Sequence, residues 1–317
     1  MSETNFDVVR ANAFIGADIP YQGKRYFVNP RTGLDGNSGR SPRTALKTLA
    51  AALAKCTANQ NDVVYLLASS NTSADTTDYL TAQLDWNKDL VHLIGVGSGV
   101  AMSPRSRIAA VSGYATAAPI MTVSANGCRI ENVQIYMGVA SVTPLGALSV
   151  TGKRNLFSRC HILGMGAATN DIAGAYSLLL SGAEENEFHN CIFGSDRTIL
   201  GANANAQILC AALSINNRFI DCEFRIWTAS ATNTVFVRAA TGSLQGVLEF
   251  VRCRGINSTH RAGGTALTYG MVVASDAGGD VILDLPTQFQ AADVNSTDAG
   301  NVYGPTAAAG IAIPLLK

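Results

Sequence analysis

One short pattern of apolar and polar residues recurs through the middle of the chain at a nearly constant spacing. Each copy has an aromatic or aliphatic residue, two variable residues, a Cys or Val, another variable residue and usually a second apolar residue. The five copies cover residues 130–135, 157–162, 188–193, 219–224 and 250–255. The first interval between their central residues is 27 residues, and the next three are 31 residues each. Such a period predicts a repetitive stack of short strands.

The constant spacing predicts columns of equivalent side chains. In a parallel β-helix each coil lies on the previous one, so residues one period apart are about 4.8 Å from each other. The predicted columns are Phe157, Phe188, Phe219 and Phe250; Cys160, Cys191, Cys222 and Cys253; and Asn155, Asn186 and Asn217. Phenylalanines and small thiols fill the interior, and stacked asparagines hydrogen-bond to one another at a turn. A second strand per coil is predicted over residues 120–123, 147–150, 178–180 and 209–212, and a further coil over residues 269–273 and 280–285.

The beginning of the chain predicts a cap for this stack. Residues 26–28 form an apolar strand, and residues 29–39 are rich in glycine and asparagine. Residues near 43–55 carry apolar side chains at helical spacing, among them Ala45, Leu46 and Leu49. We expect a capping α-helix there, because the first coil would otherwise expose its apolar interior and unpaired backbone groups to water.

The same segment resembles a known family. A strand, a Gly-x-Asp-Gly-Asn loop, a Ser-Pro pair and an alanine-rich helix follow one another, carried by residues 26–28, Gly33, Asp35, Gly36, Asn37, Gly39, Ser41, Pro42, Thr48 and residues 51–53. In this the chain resembles pectate-lyase-like right-handed parallel β-helices, which include many bacteriophage virion proteins. The predicted fold is therefore all-β, a right-handed parallel β-helix with an N-terminal capping α-helix. Leucine-rich repeats would need leucines at fixed offsets, and a propeller would need several strands per repeat.

Three segments are predicted along the chain. Residues 1–23 form an N-terminal arm, residues 24–290 form the parallel β-helix domain, and residues 291–317 form a C-terminal tail or cap. The arm contains four apolar residues that could anchor it to another protein, Val8, Val9, Phe14 and Ile15.

The charge of the chain argues against several partners. Lys+Arg and Asp+Glu both number 23, so the net charge is zero, and only 15% of residues are charged. No basic field is available to hold nucleic acid or an anionic membrane, and neither is expected as a partner. Low surface charge favours a protein that works within an assembly. The N-terminus lacks the pattern of a signal peptide, which predicts synthesis in a host cytoplasm.

The seven cysteines are expected to be buried and reduced. Four of them form the predicted column, one coil apart, without the CxxC or His-pair spacing of zinc ligands. No metal and no other cofactor is therefore predicted.

Candidate chemistry is sparse. Enzymes on this fold, such as polysaccharide lyases and hydrolases, need paired carboxylates, or carboxylates with a Lys or Arg base, on outward positions of adjacent coils. The candidate catalytic residues are Glu187, Asp196, Asp221 and Glu223. The 31-residue offset aligns Asp221 with Arg252 and Glu223 with Arg254, which predicts surface ion pairs and not a catalytic dyad. Trp86 and Trp227 are the candidates for exposed sugar-stacking rings, and His92 is expected to be a structural or outward-facing strand residue.

These features predict a non-enzymatic, structural phage virion protein. The chain resembles head-decoration or cement proteins, whose tails bridge neighbouring capsid subunits on the capsid surface. The expected partners are the major capsid protein or other virion subunits, and a homo-oligomer is also possible. The alternative is a tailspike or receptor-binding protein that binds or cleaves host surface polysaccharide as a lyase or hydrolase. A tail or baseplate location is not distinguished from a capsid location by the sequence.

Overall fold

The chain winds into a right-handed parallel β-helix of about seven turns, which confirms the predicted fold class. The computed structural model describes residues 23–68, 77–97, 101–284, 286–295 and 302–303. Each turn adds one strand to each of three parallel sheets, called sheets A, B and C, and the chain visits them in the order C, A, B.

The strands of each sheet follow one another in chain order. Sheet A contains Arg25–Val28, Val63–Leu67, His92–Val96, Arg129–Glu131, Leu156–Ser158, Glu187–His189, Ser214–Ile220, Leu244–Val251, Asp280–Leu283 and Val302–Tyr303. Sheet B contains Thr77–Leu80, Arg107–Ala110, Gln134–Tyr136, His161–Leu163, Ile192–Gly194, Glu223–Ile226, Arg254–Asn257 and Gln288–Phe289. Sheet C contains Leu84–Trp86, Met121–Val123, Gly146–Val150, Tyr176–Ser181, Asn205–Ala212, Thr234–Ala239, Tyr269–Val273 and Asp293–Asn295.

The repeated sequence motif turns out to be two strands joined at a corner, and not one strand. Its second variable residue adopts a left-handed backbone between sheet A and sheet B. These corner residues are Asn132, Arg159, Asn190, Asp221 and Arg252, with φ between 50° and 54°. A single residue with positive φ turns the chain sharply, so the Cys that follows it points into the interior. The motif therefore sets the boundary between two sheets.

The phenylalanine column fills the interior behind sheet A. Register places Phe157, Phe188, Phe219 and Phe250 directly on one another. Neighbouring rings stack with centroids 4.6, 4.7 and 5.0 Å apart. Two rings from sheet B, at residues 193 and 224, meet this stack edge to face. Edge and stacked geometries are the favoured arrangements of aromatic pairs, so the column contributes packing at every coil.

The cysteine column supplies hydrogen-bond donors as well as small side chains. Three of the thiols donate to the carbonyl of the phenylalanine one coil earlier, as Cys222 does to Phe188 at 3.2 Å. Cys160 donates to the carbonyl of Ile130, which occupies the phenylalanine position of the earlier coil. Where the column lacks Cys, Thr287 donates to Phe250 at 3.0 Å and Ser106 donates to the carbonyl of residue 66. All seven cysteines are buried and free. The lone thiol on the sheet C side, Cys210, has its pKa raised to about 12 by burial.

The asparagine column is a continuous ladder at the turn between sheets C and A. Asn155 donates its backbone N–H and its side-chain Nδ2 to Oδ1 of Asn186, at 2.9 and 3.0 Å. Asn186 repeats the same two bonds to Oδ1 of Asn217, at 3.1 and 2.9 Å. All three side chains are buried. The ladder ends where Asn217 faces Leu248, which has no acceptor in its side chain.

The N-terminal cap is shorter than the predicted helix near 43–55. A 3₁₀ turn covers Pro42–Thr44, and the α-helix covers Leu49–Lys55. The Asp35 carboxylate accepts hydrogen bonds from the backbone N–H groups of Lys47 and Thr48, which holds the chain extended up to the N-cap, Thr48. Ala45 and Leu46 consequently lie outside the helix. No helix within the described ranges is long and apolar enough to cross a membrane.

The stack continues beyond the predicted end of the β-helix domain at residue 290. Asp293–Asn295 pairs with the preceding strand of sheet C, and Val302–Tyr303 pairs with the preceding strand of sheet A. Part of the segment predicted as a C-terminal tail or cap therefore belongs to the parallel sheets.

Candidate functional site

The outer face of sheet B carries a groove that runs along the stack. One outward column contains Arg107, Gln134 and His161 on successive strands. The neighbouring outward column contains Tyr79, Ala109, Tyr136 and Leu163. Strands of one sheet lie about 4.8 Å apart, so these side chains form two parallel rows on a rigid surface.

The first part of the groove is a cationic cleft of about 300 Å³. Four arginines and one aspartate contribute all the ionised side chains of its wall, namely Arg105, Arg107, Arg197, Arg225 and Asp196. In a chain of zero net charge, this is a concentration of positive charge in one concave place. Such a cleft attracts anionic groups.

Three of these arginines have no carboxylate partner within the described part of the chain: Arg105, Arg107 and Arg197. Arg225 is different, because it lies between Glu223, with which it forms a close ion pair, and Asp196 at 3.7 Å. The unpaired guanidinium groups remain available to a ligand. Guanidinium binds carboxylate and phosphate oxygens in pairs.

The second part of the groove, called the apolar cleft, has a volume of about 450 Å³ and a largely apolar wall in which Thr77 and Ser112 are the aliphatic hydroxyl residues. Its floor is formed by Ala109 and Ala110, and Tyr79 and Tyr136 stand on either side of Ala109. Tyr79 is 47% exposed. Arg107 borders both clefts, and its guanidinium carbon lies 5.3 Å from the centre of the Tyr136 ring. The two clefts are therefore parts of one groove.

His161 lies at the base of the cationic cleft, where both ring nitrogens are occupied. The backbone N–H of Ser103 donates to Nδ1 at 3.1 Å, so Nε2 carries the proton and donates to the carbonyl of Gly194 at 2.9 Å. Burial, with a smaller contribution from nearby arginines, lowers the pKa of His161 to about 4. The imidazole is neutral at pH 7 and fully used in hydrogen bonds, which leaves no lone pair for general-base catalysis.

The buried histidines are expected to make stability fall on acidification. Burial also lowers the pKa of His92 to about 4, so between pH 6.5 and 4 the unfolded chain binds protons that the folded chain excludes. Asp78 acts in the opposite direction, because burial raises the pKa of its carboxyl to about 6. The two histidines outweigh the one aspartate. The free energy of unfolding should therefore fall on acidification by about 1.4 kcal/mol per pH unit for each uncompensated proton.

The pH dependence can be measured by urea unfolding at pH 7 and pH 5. His161→Gln should reduce the number of protons taken up on unfolding by about one, and with it the pH dependence of the free energy of unfolding. The same substitution at the exposed His260 is the control. Equal slopes in His161→Gln and the unsubstituted protein would contradict a neutral buried imidazole.

The four candidate catalytic carboxylates do not come together as an acid and base pair. Glu187 lies on sheet A beside His189, 2.7 Å from its Nε2. Asp221 is a corner residue that accepts two hydrogen bonds from Arg252, which hold the pKa of its carboxyl below the ordinary value. Neither of them lines the groove.

Asp196 lines the cationic cleft, Glu223 is linked to the cleft through its ion pair with Arg225, and arginines neutralise both carboxylates. Glu223 binds Arg225 and, at 2.6 Å, Arg254. Burial raises the pKa of Glu223, but the hydrogen bonds and charges of the two arginines outweigh burial, and the net shift is downward. A general acid needs the opposite shift. The predicted ion pairs Asp221–Arg252 and Glu223–Arg254 are both present.

The two tryptophans differ from the prediction that both are exposed. Trp86 is fully buried in the interior, where its Nε1 donates to the carbonyl of Val91 at 2.9 Å. Trp227 is half-buried, and Arg261 covers its ring at 5.3 Å from the centre. The exposed ring in the groove belongs to Tyr79, which the sequence did not single out. His92 is buried with both nitrogens hydrogen-bonded, as expected for a structural residue.

Sequence reasoning also missed the groove arginines. Arg105 and Arg107 lie beside Ser106, which occupies the column position that Cys or Val occupies in later coils. Aligning that serine with Val133 would have placed Arg107 over Gln134. The candidate anchoring residues Val8, Val9, Phe14 and Ile15 lie outside the described residues. No group of three or more potential metal ligands occurs within the part of the chain that the structure describes.

Comparison with known proteins identifies a fold but no family. No protein-family model and no curated protein sequence matches the chain. Among solved structures, a pectin methylesterase in complex with hexasaccharide VII is 15% identical, covering 88% of this chain and 80% of that one, with a TM-score of 0.54. Pectate lyase Pel9A is 11% identical, covering 93% and 82%, with a TM-score of 0.53. Geobacillus virus E2 ORF18 is 11% identical, covering 94% and 63%, with a TM-score of 0.42, too low to support an argument.

Proposed function

We propose that this protein is a virion-attached binding protein that holds a polysaccharide along the groove of sheet B without cleaving it. The observation that carries the proposal is the groove itself, in which unpaired arginines and an exposed tyrosine line a rigid parallel sheet. Polar side chains that fix orientation, beside aromatic rings that stack on a ligand, are what recognition of a sugar chain requires. The structurally similar pectin methylesterase contains a hexasaccharide, which supports a sugar ligand for this architecture.

The state of the acidic groups supports the proposal of binding without cleavage. Asp196 is the carboxylate in the wall of the cationic cleft, and Glu223 is paired with Arg225 of that wall; both carboxylates are held by arginines. His161 has no free nitrogen. Hydrolysis or elimination needs a group that can give or take a proton beside the scissile bond. The groove offers charge and shape, and we propose that it acts as a receptor for glycan.

The test is a binding measurement with purified bacterial surface polysaccharides, coupled to analysis of reducing ends and unsaturated sugars. We expect saturable binding and an unchanged polysaccharide. Arg197→Gln should weaken binding about 10- to 100-fold, because one charge-assisted contact contributes about 1.5 to 3 kcal/mol. The control is Arg43→Gln, at an exposed arginine outside the groove. Release of new chain ends would contradict binding without cleavage. Equal binding by the two variants would show that the groove is not the binding site.

Attachment to the virion is proposed separately, on the sequence. A low-charge rod preceded by an arm with apolar residues suits a decoration or cement protein, whose arm would lie in a groove of the capsid. Many copies on one particle would add avidity for a repetitive glycan. Deleting residues 1–22 should abolish capsid occupancy and lower the heat resistance of the particle while leaving glycan binding intact. Unchanged capsid occupancy would contradict the hypothesis that the arm attaches the protein to the capsid.

A further inference from the structure

The groove of sheet B has two ends of unlike chemistry. At one end the apolar cleft contains Arg107 as its one ionisable cation, at its border, with two tyrosines and two alanines in its wall and floor. At the other end the cationic cleft contains four arginines against one aspartate. The two ends meet where Arg107 lies over Tyr136.

We infer that the ligand is a saccharide of mixed type, in which an uncharged ring lies between Tyr79 and Tyr136 and the adjoining unit carries an anionic group that binds Arg105, Arg107 and Arg197. This inference rests on the proposed function and names the class of its ligand. The anion is a carboxylate or a phosphate, since guanidinium binds either one.

The geometry of the apolar cleft fits one uncharged ring. Tyr79 and Tyr136 occupy the same outward column with Ala109 between them, so their backbones are about 10 Å apart at two strand spacings. Ala109 is buried and small, which leaves a slot between the two rings. A sugar ring placed in the slot presents its apolar C–H face to the exposed ring of Tyr79, because Arg107 already lies over Tyr136, and its hydroxyls remain at the open side.

A uniformly acidic polymer fits the groove poorly. A carboxylate beside Tyr79 would lose water and meet one cation at most, because Arg107 is the one charged residue of that cleft and also borders the cationic cleft. Burying an unpaired charge costs several kcal/mol. The apolar end therefore selects against charge.

A uniformly neutral polymer also fits poorly. It would cover Arg105, Arg107 and Arg197 without offering them a negative partner. Arg107 already bears the cost of a buried polar group without a partner, since its Nε is buried and has no hydrogen-bond partner within the described residues. Burial also lowers the pKa of Arg107. An anion at this position would relieve that cost, so affinity should come from the two ends together.

The experiment uses the full chain and a panel of structurally defined polysaccharides in three classes. Maltohexaose represents the neutral class, hexagalacturonate the uniformly acidic class, and hyaluronan hexasaccharide, together with a phosphate-bearing glycan of alternating charge, the mixed class. We expect the tightest binders to belong to the mixed class, by at least about tenfold over the other two. The carboxylate and phosphate members of that class distinguish the source of the anion.

Two variants separate the ends of the groove. For the tightest mixed-class ligand, Tyr79→Ala and Arg197→Gln should each weaken binding about tenfold or more, with Tyr303→Ala as the control at another exposed tyrosine. Hexagalacturonate should respond to Arg197→Gln and not to Tyr79→Ala. Equal or tighter binding of hexagalacturonate or maltohexaose, or unchanged binding of the mixed-class ligand by Tyr79→Ala, would overturn the inference while leaving glycan binding in place. Failure of the bacterial surface polysaccharides and of all three classes to bind would overturn the proposed function, and the inference with it.

Discussion

Replacing Asn186 with leucine should lower the free energy of unfolding by about 3 to 5 kcal/mol. The side chain accepts two hydrogen bonds from Asn155 and donates to Gly152 and Asn217. Leucine would leave these buried groups without partners, and each unsatisfied buried group costs about 1 to 3 kcal/mol. The measurement is urea unfolding followed by far-ultraviolet circular dichroism.

A matched control for this substitution lies at the equivalent turn two coils earlier. Asn126 makes comparable hydrogen bonds, to the backbone of Lys153 and to Asp89, but it is exposed. Water can replace those bonds, so Asn126→Leu should cost about 1 kcal/mol or less. Equal losses at the two positions would show that burial of the ladder does not matter.

A second substitution in the ladder adds a pH test. Asn186→Asp keeps the acceptor for Asn155, but an ionised carboxylate would face the carbonyl of Gly152 and Oδ1 of Asn217. The folded state would therefore hold a protonated carboxyl with a raised pKa. Its stability should rise as the pH falls through that pKa, which is opposite to the trend expected from the buried histidines.

Truncating Phe219 to alanine should also cost about 3 to 5 kcal/mol, for reasons of packing alone. Its ring stacks on Phe188 and Phe250 at 4.7 and 5.0 Å and meets two further rings of sheet B edge to face. No neighbouring strand can move into the cavity without breaking register. Phe219→Leu should cost about 1 to 2 kcal/mol, because most of the volume remains.

Because Phe219 lies in the middle of the column, its truncation should also change the cooperativity of unfolding. Each coil contacts only its neighbours, so a weakened coil can split unfolding into two steps. Phe27→Ala is the control, because that ring stacks on Tyr65 at 5.3 Å on the outer face of sheet A and not in the interior. A single cooperative transition with a loss no larger than that of Phe27→Ala would contradict the interior column as the source of stability.

The columns could be predicted from sequence because their spacing is constant. Phe157, Phe188 and Phe219 recur at 31 residues, and the same interval fixes the asparagine ladder. The division of the motif into two strands could not be read from spacing, since the corner residues are as different as Asn190, Asp221 and Arg252. Their common property is a backbone angle, which residue type specifies only weakly.

The groove was not predictable by the same reasoning. Part of its wall, including Tyr79 and Arg107, comes from early coils in which the interval departs from 31 residues, as between Ala109 and Tyr136. The helix boundary failed for a different physical reason, because Asp35 contacts a segment distant in sequence and holds Thr48 as the N-cap. Local periodicity in the chain does not contain that long-range contact.

The left-handed corner after each strand of sheet A bears on how such a protein can change in evolution. Because every coil from Phe157 to Cys253 turns at an equivalent residue, in-frame duplication of one 31-residue unit would insert a complete coil whose columns continue in register. The loops that leave sheet B carry no such constraint, and Asp196 and Arg197 lie in one of them. Rod length and ligand preference can therefore be inherited and altered independently of each other.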